Sequence, residues 1–172
     1  MDRAVAISRI EAGPVVLEPQ VAAHAAEMFD VLCDPAIYEF ENSPPESLPW
    51  LAERYRKLES RRSPDGRQCW LNWVIRLPGG ALAGYVQATI TEDGVAHVAY
   101  ELASRYWRQG IGSAAVKAMM TELARHFGVS RSAATLKACN FRSRALLTKL
   151  GFELTSPDDG EEITMGRRLG ES

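Results

Sequence analysis

The period of the apolar positions changes along the chain, from helical spacing to strand-like runs and back. That change lays out the elements. Val15, Val16 and Leu17 form a short apolar run that reads as a strand. Over residues 19–32, apolar side chains recur at Val21, Ala25, Met28 and Leu32, the spacing of one helix face. Asp34-Pro35 ends that helix, because the proline ring crowds helical backbone in the residue before it. Asn42-Ser43-Pro44-Pro45 is a loop, and Ser47 can cap a second helix over 49–60 that sets Leu51, Tyr55 and Leu58 on one side. Ser63-Pro64-Asp65-Gly66 is a turn.

Residues 68–77, 81–91 and 95–102 are rich in Val, Ile, Thr, Tyr and Trp and predict three strands. Pro78-Gly79-Gly80 and Glu92-Asp93-Gly94 divide them as hairpin turns, so the strands should run antiparallel. Helical spacing returns with Val116, Met119, Met120, Leu123 and Phe127, stopped by Gly128. A strand over 132–138 and a helix over 141–150 follow, the helix capped by Asn140 and stopped by Gly151. Phe152-Glu153-Leu154 and residues 163–169 read as a final hairpin. The order describes one mixed α/β (α+β) domain over 14–169, with an N-terminal extension at 1–13 and a tail at 170–172.

The length of 172 residues suits one domain with a real core, and 46% hydrophobic and 24% charged residues are ordinary for a soluble protein. A net charge of −2 gives no basic field for nucleic acid or an anionic membrane, so neither partner is expected. No membrane helix or secretory signal is visible. Cys33, Cys69 and Cys139 are odd in number and far apart, which fits reduced thiols in the cytoplasm. His24, His97 and His126 are scattered, so no metal is expected.

One loop carries candidate chemistry. Tyr100-Glu101-Leu102 ends a strand, and Trp107-Arg108-Gln109-Gly110-Ile111-Gly112-Ser113 leads into the long helix. A helix start presents unpaired N–H groups and the positive end of a dipole. Glycines leave room for an anion to reach those groups, and Arg108 can add a charged bond. A lone G-x-G is also what a tight strand-to-helix turn needs. Ala115 breaks the dinucleotide pattern G-x-G-x-x-G, and no G-K-[ST] occurs.

A second motif sharpens the reading. Asn140-Phe141-Arg142-Ser143 leads to Lys149-Leu150-Gly151-Phe152. With the glycine loop upstream and a strand between, the chain resembles the GNAT acetyltransferase superfamily over nearly its whole length. The Tyr106-Trp107 pair makes it most similar to the Rim-type branch, which includes ribosomal-protein N-terminal acetyltransferases. The resemblance implies a GNAT fold: a mixed, mostly antiparallel sheet of six to seven strands flanked by about four helices. It implies a V-shaped opening between the strand ending at Leu102 and the strand ending near Ala138. Acetyl-CoA would be the cosubstrate, with its pantetheine arm along Tyr100 to Leu102. The pyrophosphate would lie on the amides of Arg108, Gln109, Gly110, Ile111, Gly112 and Ser113. Asn140 would touch the arm as well as cap its helix. Trp107 stands where many relatives carry Arg or Gln, which shifts anion binding from side chain to backbone.

In such enzymes an amine attacks the thioester directly, so Cys139 is read as a small core residue and not as a nucleophile. Leu147 occupies the position of a tyrosine acid in many relatives, and the resemblance points instead to Ser143 as the hydrogen-bond partner of the sulfur. Thr135 replaces a carboxylate found in some relatives. His97 and Glu101, on one strand face by alternation, are then the candidate bases. Tyr38, Glu39 and Phe40, with Glu41, are the candidate acceptor-binding residues, their acids attracting an ammonium group. The expected acceptor is a protein N-terminus or a small-molecule amine, and a homodimer is left open. The competing expectation is a GNAT-fold module that senses acyl-CoA without turnover.

Overall fold

The computed structural model describes residues 5–170. Strands β1 (Ile10–Ala12), β2 (Val15–Pro19), β3 (Cys69–Arg76), β4 (Leu82–Ile90), β5 (Val95–Leu102), β6 (Arg131–Lys137), β7 (Glu153–Leu154) and β8 (Glu162–Arg168) form one sheet. Its spatial order is β1-β2-β3-β4-β5-β6-β8-β7. Four α-helices flank it: α1 (Ala25–Leu32), α2 (Leu48–Leu58), α3 (Ile111–Phe127) and α4 (Phe141–Lys149). Every neighbouring pair is antiparallel except β5 and β6.

The predicted elements are present, with two corrections. The helix expected over 19–32 begins later, because Pro19 still pairs with Trp73 as the end of β2 and Val21 remains extended. A single 3-10 turn at Ala22–His24 then feeds α1. The N-terminal extension is also not all outside the domain: Ile10–Ala12 forms an eighth strand against β2. Ser47 caps α2 as expected, accepting from the Trp50 amide at 3.1 Å. Among the described residues no helix is long and apolar enough to cross a membrane.

Two apolar layers sandwich the sheet. On one face, Ile111, Ala115, Val116, Met119 and Leu123 of α3 pack with Leu147 of α4 against Leu71, Trp73, Val86 and Val98. On the other, Met28 and Val31 of α1 and Leu51 and Tyr55 of α2 pack with Val74 and Leu82. Amphipathic helices at 3.6-residue spacing meeting a sheet on both faces account for this architecture.

Two features of the sheet prepare the site. β5 and β6 pair only through Val95, Ala96 and His97 with Arg131, Ser132 and Ala133, and beyond them the strands part. The expected V-shaped gap is therefore there, opening toward Leu102. Alongside it, Gly84 of β4 lies opposite Leu102, so close to β5 that a Cβ would collide with the Glu101 carbonyl oxygen. Gly84→Ala is expected to lower stability by about 1–3 kcal/mol, the usual cost of overpacking. A thermal melt with unchanged midpoint would refute this close-packing role.

Candidate active site

The gap between β5 and β6 opens into a cleft of about 740 Å³. At one end lies the start of α3. Arg108 (φ 60°) and Gly110 (φ 78°) both take left-handed backbone, which turns the chain sharply into the helix. Gly110 is the N-cap and supplies no side-chain cap, and no acidic residue occupies the first turn. By contrast, Ser47 caps α2 and Asn140 caps α4. Among the described residues, no amide from Arg108 to Ser113 donates to a protein acceptor. Free N–H groups at a positive dipole end form an anion site. A Cβ at Gly112 would press on Leu146 Cδ1 at 3.1 Å, so a side chain there would crowd α3 against α4. The Trp107 indole does not take part in this donor set, because its Nε1 donates to the Leu102 carbonyl at 2.8 Å.

The far wall of the cleft is β6 and the start of α4. Asn140 Oδ1 accepts from the Ser143 amide at 3.2 Å, the expected cap. Its amide nitrogen donates to Glu41 Oε2 at 2.5 Å, and the Lys137 amide donates to the same carboxylate at 3.3 Å. Glu41 belongs to a strap, residues 39–42, that crosses from the α1–α2 connection to both sides of the cleft. Glu39 pairs with Arg142 at 2.7 Å, and that guanidinium lies over Phe40 at 5.0 Å and over Trp107 at 3.9 Å. Phe40 meets Phe141 edge to face at 5.9 Å. Asn42 Nδ2 donates to Glu101 Oε1 at 3.2 Å.

Glu101 sits where the cleft meets a second cavity of about 280 Å³ under α2. Burial raises its carboxyl above the ordinary glutamate range, against the opposing hydrogen bonds of Tyr85 and Asn42. On the other face of β5, the Tyr100 hydroxyl donates to the Ser143 carbonyl at 3.4 Å. Desolvation pushes that phenol up to about 12, so it stays protonated beside Ser143 at neutral pH.

A family model for the acetyltransferase (GNAT) domain matches residues 15–153. The chain belongs to the GNAT acetyltransferase family. No curated protein sequence matches it significantly. Among solved structures, RimL, a ribosomal L7/L12 alpha-N-protein acetyltransferase in complex with coenzyme A, is similar with a TM-score of 0.80 and 18% identity, covering 94% of this chain and 98% of that one. The ribosomal-protein-S5-alanine acetyltransferase of Vibrio fischeri is similar with a TM-score of 0.78 and 17% identity, covering 95% and 97%. The microcin C7 self-immunity acetyltransferase MccE, in complex with acetyl-CoA and AMP, gives 0.78 and 16%, covering 98% and 100%. These neighbours show the fold, which is the GNAT fold expected from the motifs. The chain's class is accordingly that of the N-acetyltransferases.

The GNAT cleft gathers most of the residues singled out in the sequence. Tyr100, Glu101, Leu102, Arg108, Gly110, Ile111, Gly112, Ser113, Asn140 and Ser143 all line it, as does Phe40. Gln109 does not; its side chain turns back to the Arg105 carbonyl. Tyr38 lines the second cavity, its hydroxyl donating to the Leu32 carbonyl at 2.6 Å. Glu39 is held by Arg142 at the cleft rim.

His97 needs correction. It shares the face of Glu101, yet four residues of strand put it about 13 Å back along β5. There it is exposed at the closed vertex of the gap and lines neither cavity. Cys139 is not a core residue either, but is exposed in the turn between β6 and α4. Leu147 is buried at 1% exposure, so the apolar side chain in the tyrosine's place serves the core. Sequence reading missed Asn42, Tyr85 and Arg142, and it missed the tie from Glu41 to Asn140. Their partners lie as far as 99 residues away along the chain, beyond any local pattern.

Proposed function

We propose that this GNAT domain transfers the acetyl group of acetyl-CoA to a primary amine, of a small molecule or a protein N-terminus, by direct attack. One observation carries the reading. A single opening brings together free backbone donors, Ser143, Tyr100 and the half-buried Glu101 carboxylate. The donors suit a pyrophosphate, and the edge of β5 from Tyr100 to Leu102, free of β6 there, suits an extended pantetheine arm.

Acetyl-CoA, when bound, supplies the activated thioester. Amides from Arg108 to Ser113 would hold the pyrophosphate, and Asn140 would hold the arm. Glu101 accepts a proton from the acceptor's ammonium, leaving a neutral amine to form the new C–N bond. As the C–S bond breaks, the nitrogen gives its second proton to solvent, while Ser143 donates a hydrogen bond to the departing thiolate, which takes its proton from solvent. No side chain is acylated in this scheme.

Thiol release from acetyl-CoA, followed against small amines and N-terminal peptides, tests the proposal. Tight acetyl-CoA binding without turnover on any amine would favour the sensor reading. Failure to bind coenzyme A would end both. Ser143→Ala is expected to lower kcat about tenfold, the worth of one hydrogen bond to a developing charge, with little change in the KM for acetyl-CoA. An unchanged kcat removes Ser143 from this role.

A further inference from the structure

The second cavity has a charge pattern of its own. Among the described residues that line it, Glu101 is the one carboxylate and Arg54 the one cation. Arg54 projects from α2 and forms no ion pair among the described residues; its guanidinium lies 5.9 Å from the Trp50 ring centroid. Its neighbour Arg56 pairs with Glu53, and Arg76, Arg142 and Arg144 all hold carboxylates. Arg54 is thus an exposed guanidinium with no carboxylate partner among the described residues, at the edge of a cavity whose carboxylate is already a candidate base.

The rest of the cavity is polar. Asn72 of β3 and Gln87 of β4 are cross-strand partners, and both line it in the row next to Tyr85 and Glu101. Tyr55, 4% exposed, forms part of the wall, and its hydroxyl is buried without a hydrogen-bond partner in the structure. A buried hydroxyl left unpaired is costly unless something satisfies it. The volume of about 280 Å³ lies just below the usual range of small-molecule sites, about 300–1,000 Å³, and an amino-acid-sized molecule fits it.

We propose that the acceptor is a small amine that also carries a carboxylate, with the size and charge pattern of a free α-amino acid. Its ammonium lies at Glu101, facing the thioester end of the cleft, and its carboxylate lies at Arg54. This rests on the acetyl-transfer reading and narrows it. Arg54 is then a specificity-determining residue: it holds the end of the acceptor that does not react, so it acts on KM more than on kcat.

The test is thiol release with L-methionine and L-phenylalanine, each against its carboxamide, and against peptides beginning with the same residue. The carboxamides have the more acidic ammonium groups, so intrinsic reactivity at neutral pH favours them, and a preference for the free acids must come from the protein. The expected result is a kcat/KM at least about tenfold higher for the free acids, one charge-assisted contact being worth about that factor. Arg54→Gln should erase the preference through KM, with kcat retained. Calorimetric titration of L-phenylalanine into the protein saturated with coenzyme A gives a readout without turnover and should show binding that weakens in Arg54→Gln. Efficient transfer to carboxamides or peptides, or a preference unchanged by Arg54→Gln, overturns the proposal while leaving acetyl transfer standing. No transfer to any amine and no calorimetric binding would overturn both.

Discussion

Glu101→Gln is expected to reduce kcat/KM by about 10²–10³, within the range that positioned acid–base groups contribute. The substitution keeps the shape and the hydrogen bond with Asn42, so the loss reports proton transfer and not collapse of the site. The pH profile supplies a second readout. A base works only when ionised, and burial raises the Glu101 carboxyl. Activity should therefore fall as pH drops through a value above the ordinary glutamate range, and this limb should vanish in Glu101→Gln. An acid limb in the same place in both proteins would assign the base elsewhere. His97 is a poor substitute, since it stands exposed about 13 Å away along the strand.

The second large effect has the opposite sign. Glu41→Ala is expected to tighten coenzyme A binding by about 10- to 100-fold. The Glu41 carboxylate takes the Lys137 amide and the Asn140 side-chain amide, two donors beside the open gap. Hydrogen bonds to charged groups contribute roughly 1.5–3 kcal/mol each. An arm that needs Asn140 must first displace that carboxylate, and its affinity is reduced accordingly. Removing the carboxylate removes the competition. Isothermal titration of coenzyme A compares the two proteins directly. Weaker binding in Glu41→Ala would mean that the strap holds the arm instead of opposing it. The strap also carries Asn42, which donates to Glu101. Displacement of Glu41 is thus mechanically joined to the base, and Glu41→Ala should alter the Glu101-dependent pH limb as well.

Long elements with strong periodicity were legible in the sequence. α3 is an example: Val116, Met119, Met120 and Leu123 fall on one buried stripe, and Gly128 closes the helix in left-handed backbone. Both motifs of the cleft could also be read, because each is local: an uncapped glycine turn and a capped helix start. β1 could not. Ile10-Glu11-Ala12 is too short to show a period and becomes a strand because β2 offers it an edge. The helix start at Pro19 was misjudged because pairing with Trp73 outweighs local helical spacing. At the site, alternation along β5 correctly put residues 97, 99 and 101 on one face, but it holds no information about where α1 and α2 cover that face. Glu101 is covered and His97 is not. The ties from Glu41 and Asn42 span 99 and 59 residues, and only the folded topology brings those partners together.

The parting of β5 and β6 has a consequence for the whole molecule. The sheet is two panels, β1 to β5 and β6 to β7, and among the described residues the only strand pairing between them runs through Val95, Ala96 and His97. An extended ligand laid between the panels would bond to both and complete the sheet. Such a ligand acts as a clasp, and mass action ties its occupancy to folding. At a hundred times its Kd it would add about 2.7 kcal/mol to the unfolding free energy. The panel beyond the gap, β6 with β8 and β7, should then be the first to lose amide protection from solvent exchange when the clasp is absent.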